Sequence, residues 1–373
     1  MAINIPSGEQ WAKMNRHLAS IAGALGAKMD ISTWDGIQKA VRAGVAPELI
    51  PIGTQLQVQH STYGTLTFDV VAHDYLKPAH NKGAHTMTLL CNTIVHSGSF
   101  SAMQAFYNAG SSGLSAGTYS FTIAKSVMSA SAGIYNFTLT KAVPPNGRLA
   151  FAMSPVAGMQ YASVGSYSPD NQTTAIETAS ITSGSAGTSL GTFGVELTSL
   201  DRCMYGSNNY KESAVRQFLN SDWADEVWTA QTKYDQRPTW MVTASGFMYG
   251  MDKDFLNAVG EVVVPCASNG GFESPDSTVP NGGAYTVTDK FYLPSITEIF
   301  GQTIGTPDGS VLLPFYKDAT NTDRIKYGAN TQWLTRTGST QYSGFVYYIS
   351  SMGAYIDSYA SSACGICPMC TIV

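Results

Sequence analysis

From Ile50 onward the apolar residues of this chain recur at every second position in short runs. Ile52-Gly53-Thr54-Gln55-Leu56-Gln57-Val58 and Thr65-Leu66-Thr67-Phe68-Asp69-Val70-Val71 alternate apolar and polar residues on either side of Tyr63-Gly64. A period of two sends alternate side chains to opposite faces of a strand, so the pair predicts a hairpin. The same texture returns in Gly117-Thr118-Tyr119-Ser120-Phe121-Thr122-Ile123 and, sixteen residues later, in Gly133-Ile134-Tyr135-Asn136-Phe137-Thr138-Leu139. These two runs are expected to pair. Between Lys125 and Arg148 the only charge is Lys141, and Ser183–Thr192 reads as a Gly/Ser/Ala/Thr connector. Short strands between Gly, Pro and Ser turns make residues 100–200 an inserted β-sandwich of immunoglobulin-like kind.

Helical periodicity is confined to a few places. Trp11, Met14, Leu18, Ile21 and Leu25 stand three or four apart, and Trp34–Ala43 follows after a break. A helical segment over residues 1–45 is therefore expected, serving either as a core-facing helix pair or as an oligomerisation or attachment arm. Asn209-x-x-Glu212 is a candidate capping box before Ser213–Asn220, and Ser295-Ile296-Thr297-Glu298 is a second after Pro294. Gly250–Val259 predicts one more short helix. Few helices and many short strands place the chain in the α+β class, with residues 46–99 and 201–373 forming one domain around the insertion.

Asp, Glu, Lys and Arg make up 13% of the 373 residues, about half the usual ~25%. Solubility must rest on Ser, Thr, Asn, Gln and Gly. A net charge of −5 without a basic run argues against an electrostatic grip on nucleic acid. The opening MAINIPSGEQWAKMNRH lacks the order of a signal peptide, and no run of ~18 apolar residues predicts membrane insertion.

Cys364-Gly365-Ile366-Cys367-Pro368-Met369-Cys370 has a spacing that could hold zinc or an iron–sulfur cluster through thiolates. A fourth ligand would have to fold back from Cys91, Cys203 or Cys266. On this reading the protein is a metal- or redox-dependent enzyme; on the alternative, the three cysteines each have a separate explanation. His60, His73, His80, His85 and His96 lack the spacing of a zinc motif and read as structural or surface residues. Asp225-Glu226 reads as solvated surface. No phosphate loop, nucleophile elbow or paired catalytic carboxylates stand out, so no cofactor and no catalysis are expected.

Residues 331–373 contain no Asn, Lys or Glu, and their only charges are Arg336 and Asp357. Tyr342, Phe345, Tyr347, Tyr348, Tyr355 and Tyr359 are set among Ser, Gly and Ala. Antibody paratopes share this composition: Tyr gives wide amphipathic contact at low entropic cost, and Ser and Gly give adaptable spacing. A C-terminal β-meander with Tyr alternating inward and outward would read the same way, as in a structural virion or adhesin domain.

Ile50-Pro51-Ile52-Gly53-Thr54, Met87-Thr88-Leu89-Leu90, Tyr210-Lys211-Glu212-Ser213-Ala214-Val215-Arg216-Gln217-Phe218-Leu219-Asn220-Ser221, Leu293-Pro294-Ser295, Trp333-Leu334-Thr335-Arg336-Thr337 and Gly365-Ile366-Cys367-Pro368 occur in that order. Together they resemble the variable proteins of diversity-generating retroelements in gut phages and bacteria, over about residues 45–100 and 200–373. The resemblance implies a C-type-lectin fold of the formylglycine-generating-enzyme type whose C-terminal segment presents ligand-contacting side chains. It also implies adenine-directed mutagenesis, which converts Asn codons to Tyr, Ser, Asp, Ala, Gly, Ile, Phe or Cys but not to Gln or Met. Gln341 and Met352 depart from that set, and Ile366-Cys367 stands where relatives commonly carry Val-Arg. The Glu-Pro-Asn and Gln-Pro-Asp signatures of calcium lectins are missing, so the resemblance implies no metal.

The expected ligand-binding residues are Tyr342, Gly344, Phe345, Tyr347, Ala354, Tyr355, Ile356, Asp357, Tyr359, Ser361, Ala363 and Cys364. Trp333, Arg336, Gly353, Gly365 and Pro368 are the expected frame. The implied partner is a bacterial surface molecule, a protein before a glycan, met at a phage tail or a cell surface by a homo-oligomer.

Overall fold

A computed structural model describes residues 30–80, 85–100, 105–108, 111–123, 133–145, 148–156, 159–167, 179–193, 209–229, 238–268, 283–304, 307–328, 331–339 and 345–373. Of residues 105–108, 123, 148–156, 159–167, 192, 193, 268 and 359 it gives the backbone path alone. The chain is α+β, mostly sheet with a few short helices. Its main body holds two five-stranded sheets. The first runs in the order Gln55–His60, Gly64–His73, Met87–Cys91, Met369–Ile372 and Phe291–Tyr292, antiparallel throughout. Its opening pair is the expected hairpin, in register from Gln55↔Asp69 to His60↔Gly64. Val58, Leu66, Phe68 and Val70 turn into the core.

The second sheet runs Tyr355–Tyr359, Phe345–Ile349, Trp333–Gly338, Cys364–Ile366 and His96–Gly98. Cys364–Ile366 lies parallel to Trp333–Gly338; the other pairs are antiparallel. The cysteine-rich run therefore steps from one sheet to the other, with Cys364 in the second and Cys370 in the first. At the step, Cys91 N–H donates to the Pro368 carbonyl at 2.9 Å.

The helices follow their caps. Trp34–Arg42 starts at Thr33, whose hydroxyl accepts from Gly36 N–H at 3.1 Å. It packs on Lys253–Ala258, with Trp34 and Phe255 ring centroids 4.6 Å apart. This part of the N-terminal segment faces the core; residues 1–29, with the expected first helix, lie outside the described residues. Ser295–Glu298 forms the expected box before Ile296–Phe300. The box expected at Asn209 is replaced by two successive caps. Asn209 accepts from Lys211 N–H to open the 3₁₀ turn Tyr210–Glu212, and Ser213 accepts from Arg216 N–H to open Ala214–Leu219. A serine placed one turn later offers the real helix a nearer cap.

Residues 105–193 form two four-stranded sheets whose strands pair only with one another. The repeated runs are neighbours, from Gly117↔Leu139 to Ile123↔Gly133. Phe121 lies with its ring 5.8 Å from Tyr135 and 6.3 Å from Phe137, in a cluster apart from the main core. The expected connector Ser183–Thr192 is a correction: Thr188–Phe193 is a strand, parallel to Gly117–Ile123. Small polar residues suffice there because a ladder is held by backbone groups, and the turn is made by Gly187 at φ +73°, against the Thr118 carbonyl. Phe100 also moves the expected boundary. It is 1% exposed within the main core, its N–H donates to the Ala360 carbonyl and its carbonyl accepts from Ala214 N–H.

Candidate ligand-binding face

Under the C-terminal hairpin lies a charged group that only a complete set of partners makes tolerable. Arg336 and Glu298 are both fully buried. The guanidinium donates to the two Glu298 carboxylate oxygens at 2.7 Å each, to the carbonyls of Leu293 at 2.6 Å and Pro265 at 2.8 Å, and to Ser310 Oγ at 3.0 Å. Glu298 also closes the capping box and accepts from Tyr75 Oη at 2.9 Å. Trp333, likewise fully buried, donates from its indole to the Arg324 carbonyl at 3.0 Å. These residues fix Trp333–Gly338, and the hairpin is hydrogen-bonded to that strand.

In the hairpin, Phe345 faces Tyr359, Tyr347 faces Asp357, and Ile349 faces Tyr355. Val346↔Ser358 and Tyr348↔Ile356 alternate with them on the other side. Val346, Tyr348 and Ile349 are buried, Phe345 and Tyr347 half-buried. On the outer strand, Tyr355 is 36% and Ile356 43% exposed, while Asp357 is half-buried. The turn depends on Gly353 at φ +73°, where a Cβ would stand 1.8 Å from the Asn321 carbonyl.

The expected contact residues are thus divided. Phe345, Tyr347, Tyr355 and Asp357 share one side. Ile356 points to the opposite side and is exposed because its strand is the sheet edge. Ala354 and Ser361 are half-buried and Ala363 is exposed. Tyr342 and Gly344 lie outside the described residues, as does the Tyr359 side chain. Cys364 is a correction: it is 4% exposed, in an interior strand between Trp333–Gly338 and His96–Gly98. A side chain in the middle of a sheet with both neighbours in place cannot reach the rim.

Residues distant in sequence join the face. The Phe300 ring meets Tyr355 edge-on at 5.1 Å, and the Arg324 guanidinium lies 4.3 Å over Phe300. Met352, at 71% exposed, stands in the turn. No periodicity within 331–373 signals Phe300; it is brought in by the helix Ile296–Phe300, which Gly301 ends at φ +67°. Burial, then the charge of Asp357, raises the Tyr347 phenol above its usual pKa.

Cys364 and Cys370 stand in different sheets. Cys367 donates its thiol to the Cys91 carbonyl at 2.6 Å. Burial pushes Cys364 up to about 11 and Cys367 and Cys370 well above the usual thiol value. Among the described residues no three His, Cys, Asp or Glu side chains are grouped to hold a metal. His60 Nε2 is 2.9 Å from the Phe247 carbonyl, and His96 stacks on Phe218 at 5.3 Å. His80 pairs with Glu261 and His85 with Asp74.

A family described as a domain of unknown function, DUF6273, matches residues 176–373, just over half of the chain. The chain belongs to that family. No curated protein and no solved structure matches. The DUF6273 match holds Arg336, Glu298, Trp333 and the whole hairpin, but begins among the strands of residues 105–193. It leaves out Met87–Cys91, the strand on which Met369–Ile372 is paired. In this chain the DUF6273 portion is therefore completed by strands from residues 55–98.

Proposed function

We propose that this chain is a non-enzymatic binding protein whose C-terminal hairpin is diversified by a retroelement and attaches a phage tail, or a cell surface, to a bacterial surface molecule. Its fold is of the C-type-lectin kind, over residues 46–99 and 201–373, with an immunoglobulin-like sandwich inserted. One observation carries the reading. In residues 331–373 the expected contact residues Tyr347, Ala354, Tyr355, Ile356, Asp357, Ser361 and Ala363 are exposed or half-buried, while Trp333, Arg336, Gly353, Gly365 and Cys367 are buried; the buried Cys364 and the exposed Met352 stand outside that division. Variation concentrated on a rigid frame alters contacts without unfolding the domain. The continuous first sheet supports a single domain resumed after the insertion.

Sequencing the DNA around the gene tests this. A reverse-transcriptase gene and a near-repeat of the 3′ coding end are expected nearby, with adenine-bearing Asn codons in the repeat at Tyr347, Tyr355 and Asp357. A neighbourhood without them, or a repeat differing at codons for the buried frame, overturns the reading. The homo-oligomer proposed with it is read from light scattering of the full chain.

A further inference from the structure

We propose that the hairpin face takes a cationic group of its partner, a lysine ammonium or arginine guanidinium, in a corner formed by Tyr347, Tyr355 and Asp357. This rests on the binding role above and specifies what is bound. Tyr347 and Asp357 are directly opposed across the two strands, and Tyr355 is the diagonal neighbour on the same side. The Tyr347 and Tyr355 rings have centroids 6.2 Å apart and planes at 75°, so they make two walls at nearly a right angle. Aromatic ring faces are electron-rich and attract a cation placed over them. Asp357 supplies the full charge.

The half-buried Asp357 makes no hydrogen bond or ion pair with any described residue. The only cation in residues 331–373 is Arg336, fully buried and spent on Glu298. Arg324 is held over Phe300 and donates to the Ile299 carbonyl at 3.3 Å and to Asn321 Oδ1 at 3.2 Å. A divalent metal would need several oxygen ligands, and here one carboxylate stands between two rings. An ammonium or guanidinium on an apolar stem fits better: its charge meets Asp357 and its methylenes lie along the Tyr347 and Tyr355 rings.

The test is a titration of the full chain, carrying ¹³C-labelled tyrosine, with Nα-acetyl-lysine amide, Nα-acetyl-arginine amide and the neutral Nα-acetyl-norleucine amide. The basic amides are expected to shift the Tyr347 and Tyr355 ring signals saturably, at least fivefold more tightly than norleucine amide. Asp357→Asn should erase the difference and Asp357→Glu should keep it. Equal binding of all three amides by the unaltered chain, or none by the basic ones, overturns the proposal without any variant. Selection of random displayed peptides on the immobilised chain separates the two levels. Peptides sensitive to Tyr355→Ala but lacking basic residues leave the binding role standing and sink the cation site; peptides indifferent to both Tyr355→Ala and Asp357→Asn sink both.

Discussion

Arg336 and Glu298 show how one residue can be costly and indispensable at once. Two charges fully removed from water are tolerable only with every donor and acceptor engaged, and here they are. Glu298→Gln strands the guanidinium, and urea denaturation should show a loss of about 3–5 kcal/mol. Trp333→Ala, which empties a fully buried indole site, should cost about 3–5 kcal/mol as well. Tyr355→Ala should behave in the opposite way. At 36% exposure its loss should leave the melt nearly unchanged while weakening ligand binding by about 1–4 kcal/mol. A Tyr355→Ala chain that melts far below its parent would make the hairpin core rather than contact surface.

Histidine gives the residue scale a pH dependence. Burial lowers His60, His73 and His96 below 6.5. The unfolded chain takes up protons at these positions as pH falls below 6.5, and the folded chain only at lower pH. Their contribution to stability is thus complete above 6.5 and is lost as pH falls through the folded values. Tm should drop on acidification from about pH 7 to about pH 5. His96 Nε2 is buried without a hydrogen-bond partner among the described residues, and its ring stacks on Phe218 and lies tilted against Trp240. His96→Phe should flatten that dependence in thermal melts recorded across the range.

At the scale of elements, the hairpin is positioned from outside itself. Its inner strand rests on Trp333–Gly338, while its turn is locked where Gly353 crosses Asn321. Gly353→Ala forces a left-handed residue against a carbonyl. The backbone conformation alone costs about 1–3 kcal/mol, and the displaced turn should carry Tyr355 away from Phe300. Loss of stability and loss of binding should therefore appear together in that variant, unlike in Tyr355→Ala. The Ser295–Glu298 box was legible because a cap is settled within four residues. The contact of Phe300 with Tyr355 was not, because it joins elements more than fifty positions apart.

For the whole molecule, the described residues that flank 101–208 meet at one place. Phe100 and Tyr210 have ring centroids 6.0 Å apart, and the Phe100 carbonyl accepts from Ala214 N–H at 2.7 Å. Replacing residues 101–208 by a short Gly/Ser linker should leave a chain that unfolds cooperatively, as close termini of an inserted unit allow. Recovery of aggregate alone would mean that the two units depend on each other. A cut at residue 100 should be worse, since it removes a side chain from the main core.

The alternation at 52–71 and the repeat at 117–139 were enough to give two pairs of antiparallel strands, because period and turn chemistry act between neighbours. The division of Tyr355 and Ile356 between two sides, the burial of Cys364 and the pairing of the last strand with Met87–Cys91 were written in no local pattern. Each depends on which strand lies next to which. That order is chosen by burying the main core as a whole, a sum over contacts between distant residues that no window of sequence contains.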